Sequence, residues 1–250
     1  MEKPYALPSS FGTYCFEDHD IIVESIREEF PEIREDMHEI VGGDGSVMRS
    51  THLGPRTITL ECRAFRDKWL DFDSLRSELA AMLYTRDERE LALRSHFGEH
   101  YMAHLSGMEE GDREGGCGIG LITLTFTASD PIRYGKVHEV TVPSGGSVDI
   151  DVSGTYPARV ALQSTVAIRS LSSGVWGVRF DEGHPLHVKI PTAQQSTIAI
   201  DCSDTSVQIN GATGMITLDS HWPELTPGRH VVRMDQGTGN GRLIWQERWI

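Results

Sequence analysis

His96, His100 and His104 recur every four residues, a spacing that on a helix would line three imidazoles along one face for a metal ion. Gly98 interrupts that stretch, and Tyr101-Met-Ala-His-Leu105 fits a strand instead. Glu99 does not complete an HExxH pattern. Asp181, His184 and His187 lie in a Gly/Pro-containing segment, where a cation site competes with a solvated turn. Asp149 and Asp151 share one strand face; such a pair serves acid–base work or calcium, or simply forms the wet face of a sheet. Cys62 and Cys202 alternate with apolar neighbours and read as core, while Cys117 sits between glycines with no histidine nearby to activate it. Gly237-Thr-Gly-Asn-Gly241 precedes a strand, so it offers no helix N-terminus to a phosphate. The chain has neither a GxSxG elbow nor a P-loop. This inventory assigns no catalytic residue, no cofactor and no metal. Trp176, Trp222, Trp245 and Trp249 all fall in the second half. Exposed together they would form a sugar-stacking platform or a protein anchor; core packing is the competing reading. Trp222, between His221 and Pro223, is expected to be partly exposed, and with Trp176 it is the candidate partner or glycan surface.

The elements that must position these residues change character along the chain. The first half mixes strands with one helix. A Gly42-Gly-Asp-Gly45 turn predicts a hairpin returning through Ser46 to Thr51. Ile21 to Phe30 reads either as a strand or as a helical turn before Pro31. Arg56-Thr-Ile-Thr-Leu-Glu-Cys62 alternates at strand period. Phe72, Leu75, Leu79, Met82 and Leu83 fall on one face of a helix over 71–83, with Asp71 or Asp73 as its cap. Short strands are expected at Glu90 to Leu93 and His100 to Leu105, then a polar loop from Gly107 to Gly118, then a strong strand ended by Asp130-Pro131. From Val137 onward only short alternating runs separated by turn residues follow, the pattern of an antiparallel β-sandwich. The reading is mainly β: a β-rich α+β domain over residues 1–134 and an all-β sandwich over 135–250.

Composition bounds the partners. The net charge of −14 argues against binding a nucleic-acid backbone. It is uneven: residues 1–134 hold 26 acids against 14 Lys and Arg, and residues 135–250 hold 11 against 9. Arg outnumbers Lys 19 to 4, which suits ion pairs between subunits, although genome base composition explains it equally well. No apolar run approaches the roughly 20 residues of a membrane span, so no membrane insertion is expected. No signal-peptide core follows Met1, and the four scattered cysteines suit a reduced, cytosolically made protein.

Several pieces in order resemble the siphophage distal tail proteins. In the first half these are Gly42-Gly-Asp-Gly45, Arg56-Thr-Ile-Thr-Leu, the helix, Tyr101-Met-Ala103 with Gly107, and the exit through Thr125-Phe126 to Asp130-Pro131. In the second they are Thr155-Tyr-Pro157, Ile198-Ala-Ile-Asp201, Asn210-Gly211, Trp222-Pro-Glu-Leu225-Thr-Pro-Gly228, Ile244-Trp245 and Arg248-Trp249. The resemblance implies a tail-tube-like, ring-forming first domain and a galectin-like or carbohydrate-module-like second one. It implies a homo-hexameric hub in the virion tail, made in the bacterial host cytoplasm. The hub would join the tail-tube protein and tape measure to tip, baseplate or receptor-binding proteins, with DNA only in transit through its lumen. The segment from Gly107 to Gly118, with Glu109, Glu110, Asp112 and Arg113, is the expected intersubunit loop. The reading from a different class is a carbohydrate-binding module recognising a cell-surface glycan.

Overall fold

The computed structural model describes residues 8–65, 71–114, 119–166, 174–190 and 196–250, for 71–73 and 112–114 the backbone alone. The chain divides into two compact units, Met1–Arg133 and Tyr134–Ile250, and it is mainly β.

The first unit holds β1 (Ser10–Phe11), β2 (Tyr14–Cys15), β3 (Ile21–Glu28), β4 (Ile33–Glu39), β5 (Ser46–Leu53), β6 (Arg56–Phe65), α1 (Asp71–Leu83), β7 (Arg89–Ala92), β8 (His100–Glu114) and β9 (Ile119–Ala128). An antiparallel sheet runs β3-β6-β9-β8-β7-β1-β2. In β6, Ile58, Leu60, Cys62 and Ala64 all point inward, as its period-two pattern requires. In β9, Ile122, Leu124, Phe126 and Ala128 do the same. Leu75, Leu79 and Leu83 recur every four residues along α1 and close the core over Phe11, Tyr101 and Phe126. Met82, expected on that buried face, is exposed instead: one position before Leu83, it is rotated about 100° around the helix. Asp71, Phe72 and Asp73 have side chains outside the described residues.

The expected loop from Gly107 to Gly118 is corrected. Gly107 to Glu114 continues β8, paired with β9 out to Glu114 opposite Ile119. Two register shifts, at Leu105/Gly107 and Glu110/Arg113, bend this ribbon, and Gly111 lets the backbone lie close to Leu121. Its glycines and acids mimic a loop in composition, yet the backbone pairing supplies the strand. Residues 115–118, including Cys117, lie outside the described residues.

The second unit holds β10 (Arg133–Val142), β11 (Ser147–Val152), β12 (Ala158–Val166), β13 (Val175–Phe180), β14 (Pro185–Lys189), β15 (Ser196–Asp201), β16 (Ser206–Ile209), β17 (Ala212–Thr213), β18 (Met215–Ile216), β19 (Glu224–Leu225), β20 (Gly228–Gln236) and β21 (Gly241–Trp249). One sheet runs β17-β16-β15-β12-β21-β10, with β19 against the start of β12. The other runs β11-β20-β13-β14-β18. The inward faces meet in one core. Val160, Leu162, Ile198, Ile200, Leu243 and Trp245 come from the first sheet; Trp176, Val178, Leu186, Val188, Val232 and Met234 come from the second. Two facing antiparallel sheets of this kind form a sandwich.

Candidate assembly surface

The feature that the interior does not account for is the ribbon of β4 and β5. It pairs only with itself among the described residues, and two-stranded ribbons are marginal on their own. The turn between the strands uses Gly42 and Gly45 at positive φ. Ile33 lies opposite Leu53, Glu35 opposite Thr51, and Met37 opposite Met48, so these six share one face. Arg49 makes that face possible. It is the extra residue of a register shift beside Met37; without it the alternation would send Met48 to the opposite side. Met37 and Met48 are 52% and 56% exposed, and Val41 at the tip is 97% exposed. Phe30, Ile33, Ile40 and Val47 are exposed as well. Apolar side chains exposed together on a two-stranded ribbon make it the candidate contact surface of this unit. The turn was legible in the sequence, but this apolar face was not identified there. The available signal was Met37 and Met48 flanking the glycine turn.

Of the expected intersubunit residues, Glu109 and Glu110 stand exposed on β8. Glu110 reaches Arg76 of α1 at 3.9 Å. The side chains of Asp112 and Arg113 lie outside the described residues. The two tryptophans separate. Trp176 is 0% exposed at the centre of the sandwich, which removes it from any partner or glycan surface. Trp176, Val178 and Phe180 alternate on one face of β13, and that face is the core face. Gly237 and Gly241 make room for the indole; a Cβ on Gly237 would come within 2.9 Å of it. Trp222 is half-buried and lines a recess of about 580 Å³ with Met215, Thr213 and Gln208. Trp245 is also buried, so the four tryptophans form no common platform.

The residues singled out for chemistry are dispersed into structural pairs. His96 binds Glu28 at 2.7 Å, and His104 lies 3.7 Å from Glu88. Among the described residues no cluster of three or more ligands could hold a metal. Asp149 is exposed and pairs with Arg229 at 3.0 Å. His187 Nε2 meets Asp235 at 2.5 Å, and Arg179 holds the other Asp235 oxygen at 2.9 Å. The second His187 nitrogen faces Asp219 at 3.7 Å. The nearby Ser220 hydroxyl bonds the His187 backbone, so the group lacks the nucleophile–base geometry of a triad. His184 stacks on His221 with ring centres 4.0 Å apart. Cys62 and Cys202 are buried, and burial pushes each thiol up to about 12, which makes both inert as nucleophiles.

Two clusters have measurable consequences. In the first unit the Tyr101 hydroxyl accepts from Arg56 at 2.6 Å and donates to Glu28 at 2.6 Å. Burial, then the Glu28 hydrogen bond and charge, push the phenol up to about 12. Burial alone would raise Glu28, but the hydrogen bonds from Tyr101 and His96 and the charge of Arg133 outweigh it and hold the carboxyl below its ordinary value. Tyr101→Phe strips one partner each from Glu28 and Arg56 without opening a cavity. It is expected to cost about 1–3 kcal/mol, read as a lower urea midpoint with an unchanged slope.

In the second unit both ring nitrogens of His230 face acceptors: Asp181 at 2.7 Å and the Thr226 carbonyl at 2.7 Å. Only the doubly protonated ring donates to both. Burial opposes that charge, but the two hydrogen bonds and the Asp181 carboxylate outweigh it and raise the imidazole above its ordinary value. Asp181 is lowered in turn: burial alone would raise it, but the hydrogen bonds from His230 and the Val231 N–H together with the His230 charge outweigh that. The His230 contribution to stability is therefore complete below the ordinary histidine range and is lost as pH rises through the raised folded value. The Asp181 contribution is present above its unfolded value and is lost as pH falls through the lowered one. In an NMR titration, Asp181→Asn should bring the His230 midpoint down; an unmoved midpoint would show that the pair is not coupled.

The fold and these structural pairs define a two-unit β scaffold with an exposed apolar ribbon. Residues 9–128 match the family model for the phage tail protein RIFT-related domain. Residues 153–249 match that for the siphovirus-type tail component, C-terminal domain. The chain is thus a phage tail component. It belongs to the siphophage distal tail protein family. The Dit protein of phage SPP1, described as a paradigm of the hub adsorption apparatus in phages infecting Gram-positive bacteria, shares its fold. The TM-score is 0.77 at 17% identity, over 97% of this chain and 99% of that one. A chain of the phage P2 baseplate in its activated conformation aligns over 94% of this chain and 92% of that one, at 10% identity and a TM-score of 0.45. No curated protein matches the chain.

Proposed function

We propose that this chain is a non-catalytic structural hub of the virion tail. Six copies close into a ring that joins the tail-tube protein and tape measure to tip, baseplate or receptor-binding proteins. The observation that carries the ring reading is the apolar face of the β4–β5 ribbon, for which we take a second copy of this chain as the occupant. A patch that docks on a different patch of its neighbour gives a closed ring when the rotation closes. The excess of acids in residues 1–134 supports a negative lumen, along which DNA would slide rather than adhere. Glu109 and Glu110, exposed on the β8 ribbon, are further candidates for intersubunit contact.

Tails assembled with a tagged copy of the chain test the location. Label is expected at the distal end of each tail. Label along the whole tube, or none in purified tails, would contradict the hub. A free carbohydrate-binding module is the competing reading, and the burial of Trp176 removes half of the aromatic surface on which it rested.

A further inference from the structure

The second unit carries a surface of its own, separate from the residues of the β4–β5 ribbon. On the outward face of the first sheet of the second unit, one row of side chains runs in register across the strands. Gln208 of β16 lies opposite Ala199 of β15, Ala199 opposite Gln163 of β12, and Gln163 opposite Arg242 of β21. Arg242 continues the row to Glu139 of β10 by a paired ion contact, and its other arm reaches the Gln163 carbonyl oxygen at 3.4 Å. A second row beside it pairs Thr165 with Thr197. Strands lie about 4.8 Å apart, so Gln208 and Gln163 stand roughly 9.6 Å apart with only a methyl group between them. The small Ala199 makes this row a trough of about 470 Å³, lined also by Asn240 and Gly211.

The chemistry of the trough is specific. Its lining is amide, hydroxyl and guanidinium, and its one cation, Arg242, is neutralised by Glu139. The Gln163 side-chain oxygen accepts from Arg242 at 3.4 Å, which leaves the amide nitrogen as a donor. Asn240 Oδ1 accepts from the Ser144 N–H, which leaves its amide nitrogen as a donor too. Arg242 is fixed between a carboxylate and an amide, and such preorganisation lowers the cost of binding. A chain of net charge −14 that presents a trough of donors and acceptors with no net charge, around an apolar floor, is not built for a phosphate or a polyanion. We infer that this trough binds a neutral oligosaccharide: the Gln208, Gln163 and Arg242 row engages ring hydroxyls, and Ala199 lies beneath the C–H face of one sugar ring. No aromatic ring lines the trough, so affinity rests on hydrogen bonds and falls in the millimolar range. The site differs from the tryptophan surface suggested by sequence and does not depend on the ring.

The test is saturation-transfer NMR on the full chain with neutral tetrasaccharides: cellotetraose, isomaltotetraose, a galactose tetramer and chitotetraose. Saturable transfer from at least one is expected. Ala199→Glu, which fills the trough, and Gln163→Ala should each weaken it at least about tenfold, an affinity change of about 1.4 kcal/mol. Asp151→Asn, exposed on the other sheet, should leave it unchanged. Thermal melting of each variant confirms that the sandwich remains folded. The inference is overturned if wild-type protein shows no saturable transfer from any of the four, or if transfer survives Ala199→Glu. It is also overturned if Ala199→Glu changes only the mass of the assembly, because the trough is then a protein contact.

Discussion

Replacing Met37 and Met48 together by aspartate is expected to abolish self-assembly while leaving the fold intact. Both side chains are about half exposed on a ribbon that touches no core, so the cost to folding should stay within about 0.5 kcal/mol. The cost to association is larger. A fully buried methionine contributes about 1.5–3 kcal/mol, and roughly half of that remains to be gained here at each position on docking. A carboxylate in its place must also be stripped of water without a partner, which adds a penalty of at least a similar size. Together the two substitutions should remove at least about 3 kcal/mol per contact, more than a hundredfold in the pairwise constant. A ring repeats that loss at every interface. Light scattering should then report a single chain of 27.8 kDa with an unchanged circular dichroism spectrum. A double variant that assembles as the wild type does would move the contact away from this ribbon.

The second large effect is on stability. Trp176→Ala should cost about 3–5 kcal/mol, because the indole fills space that Gly237 and Gly241 leave open and the surrounding sheets collapse only partly into the void. Domains of this size have about 5–15 kcal/mol in hand, so the sandwich would be partly unfolded on modest warming. Trp176→Phe should be milder, as it keeps an apolar ring in the same space. Denaturant unfolding followed by circular dichroism decides the matter. A loss below about 1 kcal/mol would mean that the indole does not sit in the core.

Met37, Met48 and Trp176 also show what the sequence could and could not reveal. Strand alternation exposed β6 and β9, and four-residue spacing exposed α1, because one buried face imposes a period that composition cannot hide. Trp176 was legible in principle: it shares its face of β13 with Val178 and Phe180, a stronger signal than its being one of several tryptophans. The strand from Gly107 to Glu114 was hidden because its stability comes from backbone pairing to β9 and its side chains are those of a loop. The apolar face of the β4–β5 ribbon depends on one extra residue, Arg49, whose effect on register has no local signature. The pairs His230–Asp181 and His187–Asp235 join residues about fifty positions apart, so only the folded chain brings them together. The trough around Ala199 is a property of four strands in register, and no single segment carries it.

Absolute mass in solution, with images of the same peak, tests the central claim most directly. Six copies of a 27.8 kDa chain give about 167 kDa. The expected result is a particle of that mass, or twice it, with sixfold averages around a central hole. A particle that stays at the mass of one chain at high concentration, with no ring in the images even when tail-tube protein is added, would contradict it.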